Sequence, residues 1–67
     1  MEERHLPLIN IQVLEGRPQE KIDALMKNVT ETVSETLDAP KKSIRVIVTE
    51  VPKTHWCIGG VSASEIK

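Results

Sequence analysis

Residues 43–51 read SIRVIVTEV, the strongest β signal in the chain. Five of these nine are β-branched aliphatic residues and Thr49 makes a sixth, side chains that fit a pleated surface better than a helix. Ile44, Val46 and Val48 point one way and Arg45, Ile47, Thr49 and Val51 the other, because successive residues of a strand alternate in direction. Apolar side chains on both faces predict a strand covered on both faces. Immediately upstream, Asp38-Ala39-Pro40 ends whatever precedes it, since proline disfavours helical geometry at Ala39 and cannot continue a helical ladder. What precedes it is a stripe: Ile22, Leu25, Met26, Val29, Val33 and Leu37 recur at spacings of three and four, which predicts a helix over 18–37. Pro18 suits its first position, where a missing N–H is harmless, and Gly16 permits the turn before it.

Farther out, Leu8–Leu14 reads LINIQVL, with Ile9, Ile11 and Val13 alternating with Asn10 and Gln12, the period of a half-buried strand. Strand, helix, strand is a βαβ unit of the α+β class, with parallel strands and a right-handed crossover. Downstream, Ile58-Gly59-Gly60-Val61 predicts a turn or short C-terminal hairpin. One helix covers one face of a two-stranded sheet, so the other face and both edges call for another copy of the chain.

Composition leads to the same place. A chain of 67 residues buries only about 60% of the surface it exposes when unfolded. Its apolar fraction is 39%, with one Trp, no Phe and no Tyr. Small folds compensate with disulfides, metals or oligomerisation. Cys57 is the single cysteine, which excludes an internal disulfide framework and suits a reducing compartment. His5, His55 and Cys57 have no paired ligand spacing, so a structural zinc is not expected. Oligomerisation is left. Nine basic residues against ten acidic, interspersed, give a net charge of −1 and no basic stripe for nucleic acid. No apolar run approaches the ~20 residues that span a bilayer. The acidic opening Met1-Glu2-Glu3-Arg4-His5 is unlike a secretory signal, so the expected location is cytoplasmic and no membrane partner is expected.

Among residues able to do chemistry, arginine stands out: three against six lysines. Arg17 closes the first strand-to-helix turn, and Arg45 sits inside the second strand on the face of Ile47, an unusual place for an obligatory charge. A guanidinium offers a planar, bidentate fork to a carboxylate. On the residues alone, a solvated loop charge for Arg17 and an interface salt bridge for Arg45, to Glu50 of another subunit, are the favoured readings, because structural ion pairs outnumber ligand clamps. Trp56 reads as a core or interface anchor, Cys57 as a buried small residue, and His55 as a surface loop residue.

Three stretches alter that balance: PLINIQVLEGRP at 7–18, LDAPKKSIRVIVTEV at 37–51 and HWCIGG at 55–60. Together they resemble the 4-oxalocrotonate tautomerase family, over residues 7–67 and without gaps. The joint placement carries the resemblance: a proline where the domain starts, LEGR after the first strand, an arginine in the second strand and an aromatic before Gly-Gly.

The resemblance implies a βαβ subunit with a short C-terminal hairpin, assembled as a hexamer (a trimer of dimers), and isomerisation without a cofactor. In the family an amino-terminal proline is the general base, moving a proton between the enol oxygen and a distant carbon of an unsaturated 2-hydroxy diacid such as 2-hydroxymuconate. Pro7 matches that proline. Arg17 matches the arginine that holds the far carboxylate, and Arg45 the one that engages the near carboxylate and the 2-oxygen. Trp56 matches an aromatic wall, usually Phe, and the Leu14 backbone a position near the 2-hydroxyl. These groups come from different subunits in the family. The partner implied is a small dicarboxylate.

The chemistry is coherent. A free α-amino group titrates near pH ~8, and burial beside Trp56 with two arginines nearby penalises the ammonium form by desolvation and like-charge repulsion. The amine is then neutral and able to take a proton. A dianion needs two cationic clamps, and Arg45 also stabilises charge developing on the 2-oxygen. With this context the clamp reading of Arg17 and Arg45 displaces the ion-pair one.

Met1–Leu6 precede Pro7, however, and in a Leu6–Pro7 peptide bond the proline nitrogen is an amide whose lone pair is delocalised. Three explanations stand open: a true start at position 6 from an alternative initiation codon, proteolytic removal of residues 1–6, or a retained extension on a blocked paralogue that binds small carboxylates. The first is favoured, because residues 1–6 are polar, join no periodic element and end where the resemblance begins. His5 is a remoter substitute for the base. Ile58 stands where relatives that hydrate haloacrylates carry glutamate, so hydration is disfavoured; decarboxylation is disfavoured too, for want of a matching acidic partner.

Overall fold

The structure is a computed structural model and describes residues 6–66. The expected extension over 1–6 therefore lies, apart from Leu6, outside the described residues, as do His5 and Lys67. Two parallel strands, β1 (Leu8–Leu14) and β2 (Arg45–Val51), flank a single helix, α1 (Gln19–Leu37). A two-residue-stranded antiparallel hairpin, β3 (Cys57–Ile58) with β4 (Val61–Ser62), follows. Short 3-10 turns occupy Lys41–Ser43, Lys53–His55 and Ala63–Glu65. None of the described helices is long and apolar enough to cross a membrane.

The strands run in register from Leu8 opposite Arg45 to Leu14 opposite Val51. The ladder continues one step past each end: the Arg45 N–H donates to the Pro7 carbonyl at 3.0 Å and the Glu15 N–H to the Val51 carbonyl at 2.9 Å. Ile9, Ile11, Val13, Val46 and Val48 are half-buried on one face, with Ile44 buried just before β2. Helix α1 brings Ile22, Leu25, Met26, Val29 and Val33 to this layer. Leu37, expected on the same stripe, is exposed at the helix end.

Helix boundaries follow from backbone chemistry. Pro18 is extended (φ −66°, ψ 152°) and caps the helix instead of occupying its first turn as expected; its carbonyl accepts from the N–H groups of Lys21 and Ile22. Glu20 sits in the first turn, where a carboxylate meets the positive end of the helix dipole. At the other end Asp38 is left-handed (φ 60°), a conformation that Asp tolerates better than most residues. The Ser34 carbonyl accepts from the Ala39 N–H at 3.2 Å, and the Ser34 hydroxyl donates to the Ala39 carbonyl at 2.7 Å.

The second strand begins two residues later than expected. Pro40 starts a turn in which the Ser43 N–H and hydroxyl both donate to the Pro40 carbonyl, at 3.0 and 2.8 Å. Ser43 is consumed by this turn, and Ile44 (φ −96°, ψ 132°) is extended but outside the ladder. The expected hairpin is present: Gly59 (φ 61°) and Gly60 (φ 88°) are its two loop residues, the positive pair that a tight two-residue turn demands. Its base is tied by the Ala63 N–H to the Trp56 carbonyl at 2.6 Å and by the Ser62 hydroxyl to the Lys53 carbonyl at 3.1 Å.

Among the described residues only Ile22 (6% exposed) and Ile44 (8%) are buried in the single chain. Two side chains do not make a core for a domain of this size, since about 25 cal/mol per Å² of buried apolar surface must offset about 1.5 kcal/mol of ordering entropy per residue. The second sheet face carries Leu8 (57% exposed) and Ile47 (48%), and the tail exposes Ile58, Val61 and Ile66. The chain thus leaves open the face that the sequence expects to be covered.

Candidate active site

Pro7 and Arg45 meet at one end of the sheet. Pro7 is half-buried, and its carbonyl takes the Arg45 main-chain N–H at 3.0 Å. Arg45 is the first residue of β2, not an interior one as expected, and it is exposed. Its Nη1 donates to the Lys42 carbonyl at 2.9 Å, in the 3-10 turn that Pro40 starts. The side chain therefore folds back along its own chain, with no carboxylate among the described residues within ion-pairing distance.

Leu14 and Arg17 meet at the other end. Leu14 is the last residue of β1, and Gly16 follows with φ 123°, a conformation that side-chain-bearing residues rarely adopt. This turn lets Arg17 reach back so that its Nη1 donates to the Leu14 carbonyl at 3.0 Å. Arg17 is exposed and likewise lacks a carboxylate partner among the described residues.

A strand of seven residues is about 20 Å long at about 3.3 Å per residue. Pro7 with Arg45 and Arg17 with Leu14 are separated by that length within one chain. No rotamer change closes such a gap, because an arginine side chain reaches only a fraction of it.

Trp56 follows the Lys53–His55 turn. Its N–H donates to the Lys53 carbonyl at 3.3 Å, and it is half-buried. His55 is exposed, as expected. Cys57 is exposed too, contrary to the expectation of a buried small residue: in a two-residue strand on a projecting hairpin there is no second layer to cover it. The Lys42 carbonyl, which accepts from the Arg45 guanidinium, is not among the groups the sequence points to. Pro-Lys-Lys-Ser could have been read as a turn with Ser bonding back to the proline carbonyl, but the β-branched run after it dominates the window.

The tautomerase enzyme family model matches residues 7–66. The chain belongs to the tautomerase family. It is 49% identical over 61 residues to the 2-hydroxymuconate tautomerase of Stutzerimonas stutzeri, an alignment covering 91% of this chain and 97% of that one. Among solved structures it is similar to TomN, a 4-oxalocrotonate tautomerase homologue of the tomaymycin biosynthetic pathway (TM-score 0.86, 42% identity, 88% of this chain and 91% of that one). It is similar as well to a heterohexamer 4-oxalocrotonate tautomerase from Chloroflexus aurantiacus (TM-score 0.86, 36% identity, 91% and 98% covered). As a tautomerase the chain is an isomerase, and the parallel βαβ unit with its C-terminal hairpin is the fold it shares with these relatives.

Proposed function

We propose that this tautomerase converts 2-hydroxymuconate-type unsaturated 2-hydroxy diacids to 2-oxo-3-enoates without a cofactor, using Pro7 as an amino-terminal base once residues 1–6 are absent. The secondary amine takes the proton of the 2-hydroxyl and returns it to a distant carbon, so the substrate changes its bonding and not its composition. Arg45 engages the near carboxylate and the 2-oxygen, where negative charge develops, and stabilises it. Arg17 holds the far carboxylate as a planar fork. Trp56 walls the cavity and keeps the amine in its neutral form by excluding water. The Leu14 backbone lies on the 2-hydroxyl side.

The observation that supports this most is the separation of the two ends. Pro7 and Arg45 are joined at one end of a strand pair and Arg17 and Leu14 at the other, so a single chain holds two partial sites about 20 Å apart. The open sheet face with Leu8 and Ile47 supplies the surface on which a second copy brings the Arg17 end to a neighbour's Pro7 end. The assembly proposed is a homo-oligomer, a hexamer as a trimer of dimers, in the cytoplasm, serving the breakdown of aromatic compounds.

With Leu6 attached, the Pro7 nitrogen is an amide and takes no proton at neutral pH. Two forms therefore decide the matter: the chain from Met1 and the chain from Pro7, each assayed with 2-hydroxymuconate and each weighed intact after purification from its own host. Turnover confined to the chain from Pro7, and a native mass lacking residues 1–6, support the enzyme. A native mass of the full chain together with turnover by neither form supports a blocked, carboxylate-binding paralogue.

A further inference from the structure

The two arginines share a detail that substrate binding alone does not require. Arg17 donates Nη1 to the carbonyl of Leu14, and Arg45 donates Nη1 to the carbonyl of Lys42. In each case the acceptor is the main chain three residues upstream, at 3.0 and 2.9 Å. Nη1 is the terminal nitrogen on the Cδ side of the guanidinium. Anchoring it leaves the opposite edge, Nε with Nη2, unengaged by any described residue in both side chains. That edge carries two parallel N–H groups, the geometry that receives a carboxylate bidentately.

The acceptor for Arg45 is itself held. Lys42 lies in the turn where the Ser43 N–H and hydroxyl both close on the Pro40 carbonyl and the Ile44 N–H closes on the Lys41 carbonyl at 3.0 Å. Proline fixes φ at the turn's start (φ −67° at Pro40). The Lys42 carbonyl is thus a rigid point, whereas an arginine side chain free in solvent samples many rotamers and loses that freedom on binding.

Resting on the tautomerase reading, we propose that the Lys42 carbonyl is a positioning group: it anchors the Arg45 guanidinium by Nη1 before substrate arrives and holds the Nε–Nη2 edge ready for the near carboxylate, as the Leu14 carbonyl does for Arg17. The role belongs to main-chain atoms of the Lys41–Ser43 turn, not to the lysine side chain. Preorganised donors contribute to catalysis because they do not reorganise during the reaction.

Replacing Ser43 by its α-hydroxy acid turns the Lys42–Ser43 amide into an ester, whose carbonyl is a weaker acceptor, and also deletes the Ser43 N–H. The same replacement at Ile44 deletes one N–H of the same turn and leaves the Lys42 carbonyl an amide, so it serves as the control. The first readout is ¹⁵N NMR of the Arg45 guanidinium in the unliganded chain. Distinct Nη1 and Nη2 signals are expected in the all-amide chain and in the Ile44 ester, and averaged signals in the Ser43 ester. The second is turnover of 2-hydroxymuconate by whichever form of the chain is active: kcat is expected to fall about tenfold in the Ser43 ester, the scale of one weakened charge-assisted hydrogen bond, with the Ile44 ester within about twofold. Averaged signals in the all-amide chain overturn the anchoring and leave the tautomerase reading untouched. Resolved signals in the all-amide chain with equal kcat in both esters overturn the functional part. Absence of turnover in every form removes the tautomerase reading, and this proposal with it.

Discussion

The two ends of the β1–β2 pair use the same contact for different purposes. At the end where the strands start, Pro7 and Arg45 are locked together by a ladder hydrogen bond and the arginine is held by a proline-initiated turn. At the end where they finish, Leu14 and Arg17 are linked across a glycine with φ 123°, again by a single Nη1 bond to a main-chain carbonyl. The first end is rigid and carries the groups proposed to move protons and stabilise charge. The second carries a cation held on the last carbonyl of β1 and proposed to grip the remote carboxylate. Chemistry needs placement to a fraction of an ångström, whereas gripping a distant carboxylate tolerates adjustment, and the two ends are built accordingly.

Mutations that act on one end only sharpen this contrast. The largest effect is expected at the proline end. In the chain from Pro7, Pro7→Ala should lower kcat by about 10²–10⁴, the contribution of a positioned base, and Arg45→Ala by about 10²–10³ through lost stabilisation of the 2-oxygen. Arg17→Ala should act mainly on KM, since a grip that is equal in ground and transition states leaves kcat unchanged. Steady-state kinetics with 2-hydroxymuconate separates these outcomes, and equal kcat losses at Arg17 and Arg45 would erase the distinction between the ends.

A second test breaks the comparison outright. If a site joins the proline end of one chain to the Arg17 end of another, inactive Pro7→Ala chains and weakly binding Arg17→Ala chains, unfolded and refolded together and assayed at substrate far below the KM of Arg17→Ala, should regain activity in a minority of their sites. No recovery, with mixed assemblies visible by native mass spectrometry, would place both ends of a site in one chain.

Smaller effects concern what holds the ends apart. Ile44→Ala, at one of the two positions buried among the described residues, should destabilise by about 2–3 kcal/mol, read as the denaturant midpoint. Ile47→Lys on the open face should instead shift native mass spectra toward the monomer, because it places a charge where a second copy is proposed to pack. Smallest is Gly60→Ala, which forces a Cβ onto φ 88° and should cost about 1–2 kcal/mol without changing kcat by more than a few-fold.

Much of this was legible in the sequence. The alternation of Leu8–Leu14 specified β1 to the residue, and the three-four spacing of Ile22 to Val33 specified the helix and its inward face. Ile58-Gly59-Gly60-Val61 pointed to a turn or short hairpin, and the structure has a hairpin there. At the boundaries of the second strand and the helix the structure differs from that pattern for one reason. The β-branched run after Ser43 predicts that it belongs to the strand, yet its hydroxyl and N–H go to the Pro40 carbonyl. Pro18 suits the first helical position by sequence and is a cap in the structure. Local hydrogen bonds to neighbouring carbonyls outcompete periodic patterning at an element's edge. Cys57 as a small apolar residue and Leu37 as part of the helix stripe are expected inside, but both are exposed in this chain.

Pro7, Leu14, Arg17, Arg45 and Trp56 are proposed as site residues only as a set matching a family, since no spacing along the chain relates a residue at 7 to one at 17 or 45. By itself, the order of amino acids determined the βαβ unit, the polarity of its helix and the shortage of apolar side chains, because these depend on periodicity and composition. Which arginine stands beside Pro7, which carbonyls orient each guanidinium, and that the two pairs lie a strand's length apart were decided only by the folded chain. Those relations are set by strand register and turn geometry, which join residues distant in sequence through hydrogen bonds that no local pattern records.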